Sequence, residues 1–97
     1  MEKGGYVYIV TNAHHNVLYT GVTSDLKIRI WQHINKEFPR SFTAKYNCVK
    51  LVWYDNYPNI ADAINREKQI KAGSRESKER LIKEMNPSWS NLWEIVS

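Results

Sequence analysis

The sequence predicts an α+β fold in which a small three-stranded antiparallel sheet is flanked by helices. Two short runs rich in β-branched and aromatic residues lie close together at 6–11 and 17–22, and a third, "VKLVWYDNY", occupies 49–57. Helix-start signals and apolar residues at helical spacing follow the second and third runs. The 97 residues suffice for one modest core, so we expect a single domain over residues 1–97.

The first two runs are predicted to pair as a hairpin around the turn sequence "NAHHN". Side chains alternate between the faces of a strand, so Val7 and Ile9 should face one side and Tyr8 the other. If the connecting loop contains an even number of residues, Tyr8 and Tyr19 share a face, because a slip of one residue exchanges the faces. Both faces carry apolar side chains, which predicts a sheet covered on both sides.

The first helix is predicted from about Asp25 to Asn35. The sequence "TSDL" is a helix-start signal, with Thr23 or Ser24 as the N-cap and the aspartate in the first turn. The segment 36–46 that follows has no clear pattern and is predicted to be a polar loop.

Two further helices are predicted after the third strand. The first of them should run from about Ile60 to Ala72, with Gly73 just beyond its end. The next should begin after a Ser74 cap and end at Met85–Asn86, since Pro87 cannot continue a helix. We expect the tail "SWSNLWEIV" to pack its tryptophans back onto the domain.

The distribution of charge suggests a polyanionic partner. The formal net charge is +4, and the segment 66–83 holds seven basic residues against three glutamates. The rest of the chain is balanced, with seven basic and seven acidic residues. A nucleic-acid-binding surface and a merely solvated helix both fit this pattern, and charge alone does not separate them.

Membrane and secreted proteins are not expected classes. No apolar run approaches the roughly 18–20 residues of a membrane span. The N-terminal "MEKGGY" lacks the apolar stretch of a secretory signal. The single cysteine, Cys48, cannot form an internal disulfide, which fits a reducing compartment. We therefore expect a cytoplasmic protein.

The first helix carries a polar row that could serve a site. Asp25, Arg29 and His33 follow one another at four-residue intervals, beside the apolar Leu26 and Ile30. A guanidinium and an imidazole at the edge of a core-facing stripe can point at one ligand. An ordinary Asp25–Arg29 surface pair, worth under about 1 kcal/mol, explains the same spacing.

The second helix carries a carboxylate where an apolar residue is expected. Glu67 lies four residues after Ala63 and three before Ile70, in the middle of a stripe that also includes Ile64. A buried carboxylate needs compensation. Either a cation such as Arg29 in a structural ion pair, or a divalent metal ion, would supply it.

Taken together, these residues resemble the GIY-YIG nuclease superfamily, and most closely its small single-domain bacterial members. The resemblance rests on "VYI" and "LYTG" in the paired strands, on the arginine and histidine of the next helix, and on the glutamate of "NREKQIK". It extends from Tyr6 to the tail "NPSWSNLW", and its strength comes from the order and spacing of individually common pieces. It implies six catalytic residues: Tyr8, Tyr19, Arg29, His33, Glu67 and Asn86.

Three positions depart from the family pattern. Tyr6 replaces the glycine of the first motif and Thr20 the isoleucine of the second, but neither position contributes a reacting group. Val22 stands where the DNA-repair incision members have a lysine. The loss of that cation could weaken the activation of a tyrosine.

The resemblance implies a metal-dependent endonuclease that hydrolyses phosphodiester bonds in DNA. Glu67 would bind Mg²⁺ or Mn²⁺, and Arg29 would contact the phosphate. One of the two tyrosines would be the general base, with Tyr19 favoured by its short link to the first helix. Weak sequence preference, or recognition of branches, flaps or damage, is expected because no recognition domain is present. The expected contacts to the nucleic-acid backbone come from Lys68, Lys71, Arg75 and Lys78.

Two other functions also fit the sequence. A nucleic-acid-binding module without useful catalysis would fit the valine at position 22. A protein-interaction domain would use Trp89, Leu92 and Trp93 if they formed an exposed patch. RNA as the substrate, and a partner protein for targeting, stay open at this point.

Overall fold

Three strands, β1 (Gly5–Thr11), β2 (Leu18–Thr23) and β3 (Lys50–Tyr57), form an antiparallel sheet in the order β2-β1-β3. This is seen in a computed structural model, which describes residues 4–97. Five helices accompany the sheet: α1 (Leu26–Ile34), α2 (Phe42–Lys45), α3 (Ile60–Ala72), α4 (Arg75–Met85) and α5 (Trp93–Val96). The predicted α+β class with a three-stranded antiparallel sheet is confirmed.

The register of the hairpin places the two tyrosines on one face, as predicted. Tyr8 pairs with Gly21 and Val10 with Tyr19, across a loop that runs from 12 to 17. That loop has an even number of residues, which keeps the predicted grouping of side chains. The face that bears Tyr8 packs against α1 and the tail, and the opposite face packs against α3 and α4.

The N-cap of α1 differs from the prediction. Asp25 is the cap, and its carboxylate accepts a hydrogen bond from the backbone N–H of Ile28 at 3.1 Å. The Thr23 hydroxyl instead accepts from the Asp25 backbone N–H at 3.1 Å. Asp25 therefore satisfies a free N–H group of the first turn, and α1 begins one residue later than expected.

The segment predicted as a patternless polar loop contains the short helix α2. Ser41 caps this helix, and its hydroxyl accepts from the Ala44 backbone N–H at 3.3 Å. Thr43 and Ala44 are buried, whereas Phe42 is exposed. The helix is too short to give a periodic signal, so its burial comes from contacts that are distant in sequence.

The limits predicted for α3 and α4 agree with the structure. Gly73 and Ser74 lie between the two helices, and the Ser74 hydroxyl caps α4 by accepting from the Ser77 N–H at 3.1 Å. The prediction for one residue of α3 was wrong: Ile64 is 37% exposed, although the apolar pattern placed it on the buried face. Ala63 and Ile70 mark the centre of that face, and Ile64 lies to one side of it.

The tail packs onto the domain, so its tryptophans do not form a free patch. Leu92 is buried, and its backbone N–H donates to the Leu51 carbonyl of β3 at 2.8 Å. Trp89 packs partly buried against the core on one face of the sheet, and Trp93 against the core on the other. This burial removes the basis for a protein-interaction surface on these residues. Within residues 4–97, no helix is both long and apolar enough to span a bilayer.

Candidate active site

A pocket of about 400 Å³ brings together five of the six residues that the sequence singled out. Both helix layers contribute, since α1 lies on one face of the sheet and α3 on the other. The five residues that line the pocket are Tyr8, Tyr19, Arg29, His33 and Glu67.

Gly21 is the residue that lets Tyr8 reach the pocket. It pairs with Tyr8 across the hairpin, and the phenol ring of Tyr8 lies directly over its Cα. A methyl group at position 21 would overlap the ring and hydroxyl of that tyrosine. The glycine of "LYTG" is therefore explained by a close approach of a side chain within the hairpin.

A chain of hydrogen bonds holds the hydroxyl of Tyr8 in position. Its hydroxyl lies 2.8 Å from His33 Nε2, and His33 Nδ1 lies 2.9 Å from the hydroxyl of Thr43. Thr43 is buried, and its hydroxyl is also 3.2 Å from that of Ser41. Strand β1, helix α1 and helix α2 are thus joined at the pocket.

Burial keeps both members of the Tyr8–His33 pair neutral. Burial, and next the nearby Tyr19, raise the pKa of Tyr8 well above its usual range. Burial, and next the Arg29 guanidinium, lower the pKa of His33 to about 4. At neutral pH the protonated phenol can donate to Nε2, which leaves Nδ1 to donate its proton to Thr43.

Tyr19 lies in a different environment from Tyr8. Its side chain is partly exposed, and the ammonium of Lys71 lies 5.3 Å from the centre of its ring. The same ammonium is 3.7 Å from the Glu67 carboxylate, one turn earlier on α3. A cation therefore lies beside the more accessible of the two phenols.

Arg29 faces the pocket without a carboxylate partner. Its guanidinium contacts Gln32 Oε1 at 3.5 Å, which is at the limit of a hydrogen bond. The salt bridges found within residues 4–97 do not include Arg29. The Asp25–Arg29 surface pair is therefore absent, and the guanidinium is free to contact an anion.

Glu67 lines the pocket from α3 and keeps 15% of its side chain exposed. Its salt-bridge partner is Lys71, not the Arg29 that a buried ion pair would have used. Across the part of the chain that the structure describes, no group of three or more His, Cys, Asp or Glu side chains could hold a metal ion. One carboxylate in an open pocket fits a hard cation such as Mg²⁺ that keeps several waters, and does not fit a zinc cage.

Asn86 is not among the residues that line the pocket. It caps the end of α4, and its buried amide nitrogen donates to the carbonyls of Val52, at 3.1 Å, and Ser90, at 2.8 Å. Its amide oxygen accepts from the backbone N–H and the hydroxyl of Ser90. Every hydrogen-bonding group of this side chain is occupied in joining α4, β3 and the tail.

The basic residues of α3 and α4 have different surroundings. Lys68 is exposed, and Lys71 lies over the Tyr19 ring as described. Arg75 donates to the backbone carbonyls of His15 and Asn16 in the β1–β2 loop. Lys78 donates to the Gly73 carbonyl at 2.7 Å. Half of this set therefore also holds the fold together.

Three features of the site were not predicted from the sequence. Thr43 was hidden in a segment without a pattern, and its role depends on a contact with His33 ten residues earlier. Lys71 was grouped with the general basic surface, although its i+4 spacing from Glu67 could have indicated the pair. The exposed Phe38 and Phe42 also line the pocket.

Comparison with known proteins finds a matching family model and similar sequences. The sequence model of the GIY-YIG catalytic domain matches residues 4–88 of the chain. A UPF0213 protein of Pediococcus pentosaceus is 32% identical over 88 residues, which cover 91% of this chain and 92% of that protein. A UPF0213 protein of Staphylococcus aureus is 37% identical over 79 residues, which cover 81% of this chain and 94% of that protein.

The fold is also similar to that of a solved protein. The solution NMR structure of a UPF0213 protein of Bacillus halodurans superimposes with a TM-score of 0.57 at 28% sequence identity. The match covers 91% of this chain and 92% of that one. The relatives are thus of similar length to this chain, the solved one has a similar fold, and their names state no substrate.

Proposed function

Because the chain belongs to the GIY-YIG catalytic domain family, we propose that it is a metal-dependent endonuclease that hydrolyses phosphodiester bonds in DNA. The observation that carries the proposal is the convergence of two phenols, one guanidinium and one carboxylate on a single pocket. Hydrolysis of a phosphodiester needs an activated water, neutralisation of charge on the phosphate and help for the leaving oxygen. The pocket offers a group for each of these needs.

Arg29 neutralises the phosphate in this proposal. Its planar guanidinium can bind two oxygens at once and stabilise the charge that grows in the transition state. The lack of a carboxylate partner supports this role, because an arginine already held in a salt bridge would have to give up that pair first.

Tyr19 is the general base that the environment favours. It lines the pocket, is partly exposed and has the Lys71 ammonium beside its ring. Tyr8 is less suited, because burial holds its pKa high and its hydroxyl is engaged with His33. Tyr8 would therefore orient the water as a neutral group, through the lone pairs of its hydroxyl oxygen, and His33 would hold Tyr8 in position.

Glu67 would hold the divalent ion, Mg²⁺ or Mn²⁺, together with waters and an oxygen of the substrate. When bound, such an ion acts as a Lewis acid on the phosphate and the leaving oxygen. Asn86 stays outside this group of residues and supports the fold around it.

DNA of unusual shape is the proposed substrate, and the cytoplasm the proposed location. Binding would use the backbone charges expected from the sequence, with Lys68 and Lys71 the better placed because Arg75 and Lys78 already hold other elements. The buried, single Cys48 fits a reducing compartment. A partner protein that directs the enzyme to its target belongs to the same proposal.

The experiment that tests this function compares cleavage of labelled DNA by the wild type, Glu67→Gln and Glu76→Gln. The substrates are single-stranded, duplex, flap and branched DNA with Mg²⁺ or Mn²⁺. We expect metal-dependent nicking that Glu67→Gln lowers by about 100-fold or more, because the ion loses its protein ligand. Glu76→Gln removes the same charge from an exposed site on α4 and should cut like the wild type.

The opposite result would favour a different function. If the folded wild type cuts none of these substrates with either metal, the nuclease proposal fails. Salt-sensitive DNA binding that persists in the wild type and in Glu67→Gln would then assign the chain to binding without catalysis, which is the second candidate. The valine at position 22, which lines the pocket without offering a cation, favours that candidate.

A further inference from the structure

The segment from Lys36 to Asn47 forms a loop that is closed at its base. The Lys36 ammonium donates to the side-chain oxygen of Asn47. Both residues have a left-handed backbone, with φ of 50° and 56° respectively. Closed loops of this size are often functional. This one contributes Lys36, Phe38 and Phe42 to the lining of the pocket.

The loop exposes aromatic surface beside the pocket. The exposed fractions are 53% for Phe38, 47% for Phe42 and 40% for Tyr46. The ring centres of Phe42 and Tyr46 lie 4.7 Å apart, and those of Tyr19 and Phe42 lie 5.9 Å apart. Tyr19, Phe42 and Tyr46 therefore form a continuous row of rings that leads outward from the pocket, and we call it the aromatic row.

The position of the aromatic row is fixed relative to the pocket. Phe42 precedes Thr43, which is buried and bonded to His33 Nδ1 at 2.9 Å. Ser41, on the other side of Phe42, caps α2. The exposed ring is thus carried by a backbone that is fixed to the pocket histidine. A ligand that stacks on it would not have to order the loop first.

The charge around the aromatic row is positive. Lys36, Arg40 and Lys45 are exposed in this loop, against the single acidic residue Glu37. The Lys45 ammonium lies 5.3 Å from the centre of the Tyr46 ring. Exposed rings interleaved with cations match a ligand that has both flat apolar faces and negative charge. Unpaired nucleotides combine these two properties.

We propose that the aromatic row stacks the unpaired bases of a DNA strand whose phosphate lies in the pocket, so that the substrate is single-stranded DNA or a single-stranded segment. This inference rests on the proposed nuclease function and adds its substrate class. A duplex hides the faces of its bases inside the helix and offers only its backbone to such a surface. The aromatic row therefore distinguishes unpaired bases from paired ones. Because any base can stack on an aromatic ring, the row discriminates little between sequences.

The test measures binding in EDTA, where no cleavage can occur, by anisotropy of labelled oligonucleotides. Three ligands of equal length are compared: a single strand, the same strand with abasic sites in its central half, and a duplex. Abasic sites keep the phosphates and remove the bases. We expect the wild type to bind the intact strand at least about fivefold more tightly than either of the others.

Three variants locate the effect. Phe42→Ala and Tyr46→Ala should bring the ratio of intact to abasic affinity close to one, while salt-sensitive binding persists. Trp31→Ala is the control, because Trp31 is also 47% exposed but belongs neither to the pocket lining nor to the aromatic row. Its ratio should match that of the wild type. Circular dichroism confirms that each variant is folded.

Equal affinity of the wild type for the intact and abasic strands would overturn the inference. So would an unchanged ratio in Phe42→Ala. If sedimentation shows that Phe42→Ala abolishes a dimer while DNA binding stays independent of the bases, the row is a contact between copies of the chain and the inference is overturned. Base-dependent binding without any metal-dependent cleavage would support base stacking on the aromatic row and contradict the nuclease proposal. Cleavage with base-independent binding would support the nuclease proposal and contradict base stacking on the aromatic row.

Discussion

The two tyrosines of the pocket show how the environment divides roles between identical side chains. Tyr8 is buried, bonded to a neutral histidine, and has a raised pKa. Tyr19 is partly exposed and lies beside an ammonium. Val22 supplies no cation from β2, and the ammonium of Lys71 on α3 lies beside the Tyr19 ring instead. This assigns Lys71 a positioning role through Tyr19.

Replacing Lys71 should therefore slow the cleavage step. In Lys71→Gln the cation that lies beside both Glu67 and the Tyr19 ring is lost, so the rate at saturating DNA should fall about tenfold. Steady-state cleavage over a range of DNA concentrations measures kcat and KM separately. Lys68→Gln, three residues earlier on α3 and exposed, is the matched control and should change KM only. An equal fall of kcat in both variants would show a general effect of charge, contrary to this assignment.

The buried hydroxyl of Thr20 should lower the free energy of unfolding, and a single substitution should remove this effect. It is buried, and its hydroxyl has no hydrogen-bond partner among the residues the structure describes. Valine has nearly the same shape without the polar group, so Thr20→Val should raise the free energy of unfolding by about 1 kcal/mol. Urea denaturation measures the change. Thr43→Val is the contrasting variant, because that hydroxyl is bonded to His33 and its loss should destabilise the protein. A destabilised Thr20→Val would show that the hydroxyl is satisfied in solution.

The hairpin of β1 and β2 is the element that assembles the pocket. It fixes Tyr8 opposite Gly21 and sets Tyr19 two residues away on the same face. Its loop is tied down by Arg75 of α4, which donates to the carbonyls of His15 and Asn16. The geometry of the two phenols thus depends on a register that both the side-chain pattern and a distant helix maintain.

Gly21→Ala should disturb both stability and activity through this element. The added methyl group would overlap the Tyr8 ring, so the ring or the strand must move. Overpacking of this kind costs about 1–3 kcal/mol, and a displaced Tyr8 would lose its bond to His33. Urea denaturation and cleavage rates measure the two effects. Gly21→Ala in a Tyr8→Phe background keeps the ring and should be as destabilised, whereas a Tyr8→Ala background should relieve the clash. Equal destabilisation in both backgrounds would contradict this explanation.

The elements differ in how far the sequence could predict them. Alternating side chains were sufficient for the hairpin, and the capping residue Ser74 and the stop at Pro87 were sufficient for α4, because these signals are local. Helix α2 could not be found in this way. It is four residues long and is held by the Thr43–His33 contact, which only the folded chain creates.

The same distinction applies to the site. The positions of Arg29, His33 and Glu67 on their helices suggested that they contribute to one site. The resemblance to a known family linked them to the tyrosines. No local pattern could show that Asn86 has all its hydrogen bonds occupied away from the pocket. The aromatic row was equally hidden, because the exposure of Phe42 depends on which side of α2 is anchored.

The tail packs onto the rest of the chain that the structure describes. Its residues Asn91 and Leu92 hydrogen-bond to Leu51, so the tail covers part of the exposed edge strand β3. Trp89 stacks on His15 of the β1–β2 loop, with ring centres 4.7 Å apart. The family match ends at residue 88, yet the segment beyond it packs on both faces of the sheet. The tail is therefore integral to the fold that positions the pocket.

The stability of this folded unit should depend on pH through His33. Burial lowers the pKa of His33 from 6.5 to about 4 in the folded chain, so the unfolded chain binds more protons between these values. Stability is then complete above about pH 6.5 and falls as the pH is lowered toward 4. For a partly exposed ring we expect a loss of roughly 2 kcal/mol in the free energy of unfolding over this range.

Urea denaturation at several pH values measures how steeply the free energy of unfolding changes with pH. His33→Gln should show a smaller slope, because the glutamine keeps a polar group without titrating. Since carboxylates titrate in both proteins, the difference between the two slopes isolates the histidine. Equal slopes would mean that His33 is as easily protonated in the folded chain as in the unfolded one, and the neutral Tyr8–His33 pair would then have to be abandoned.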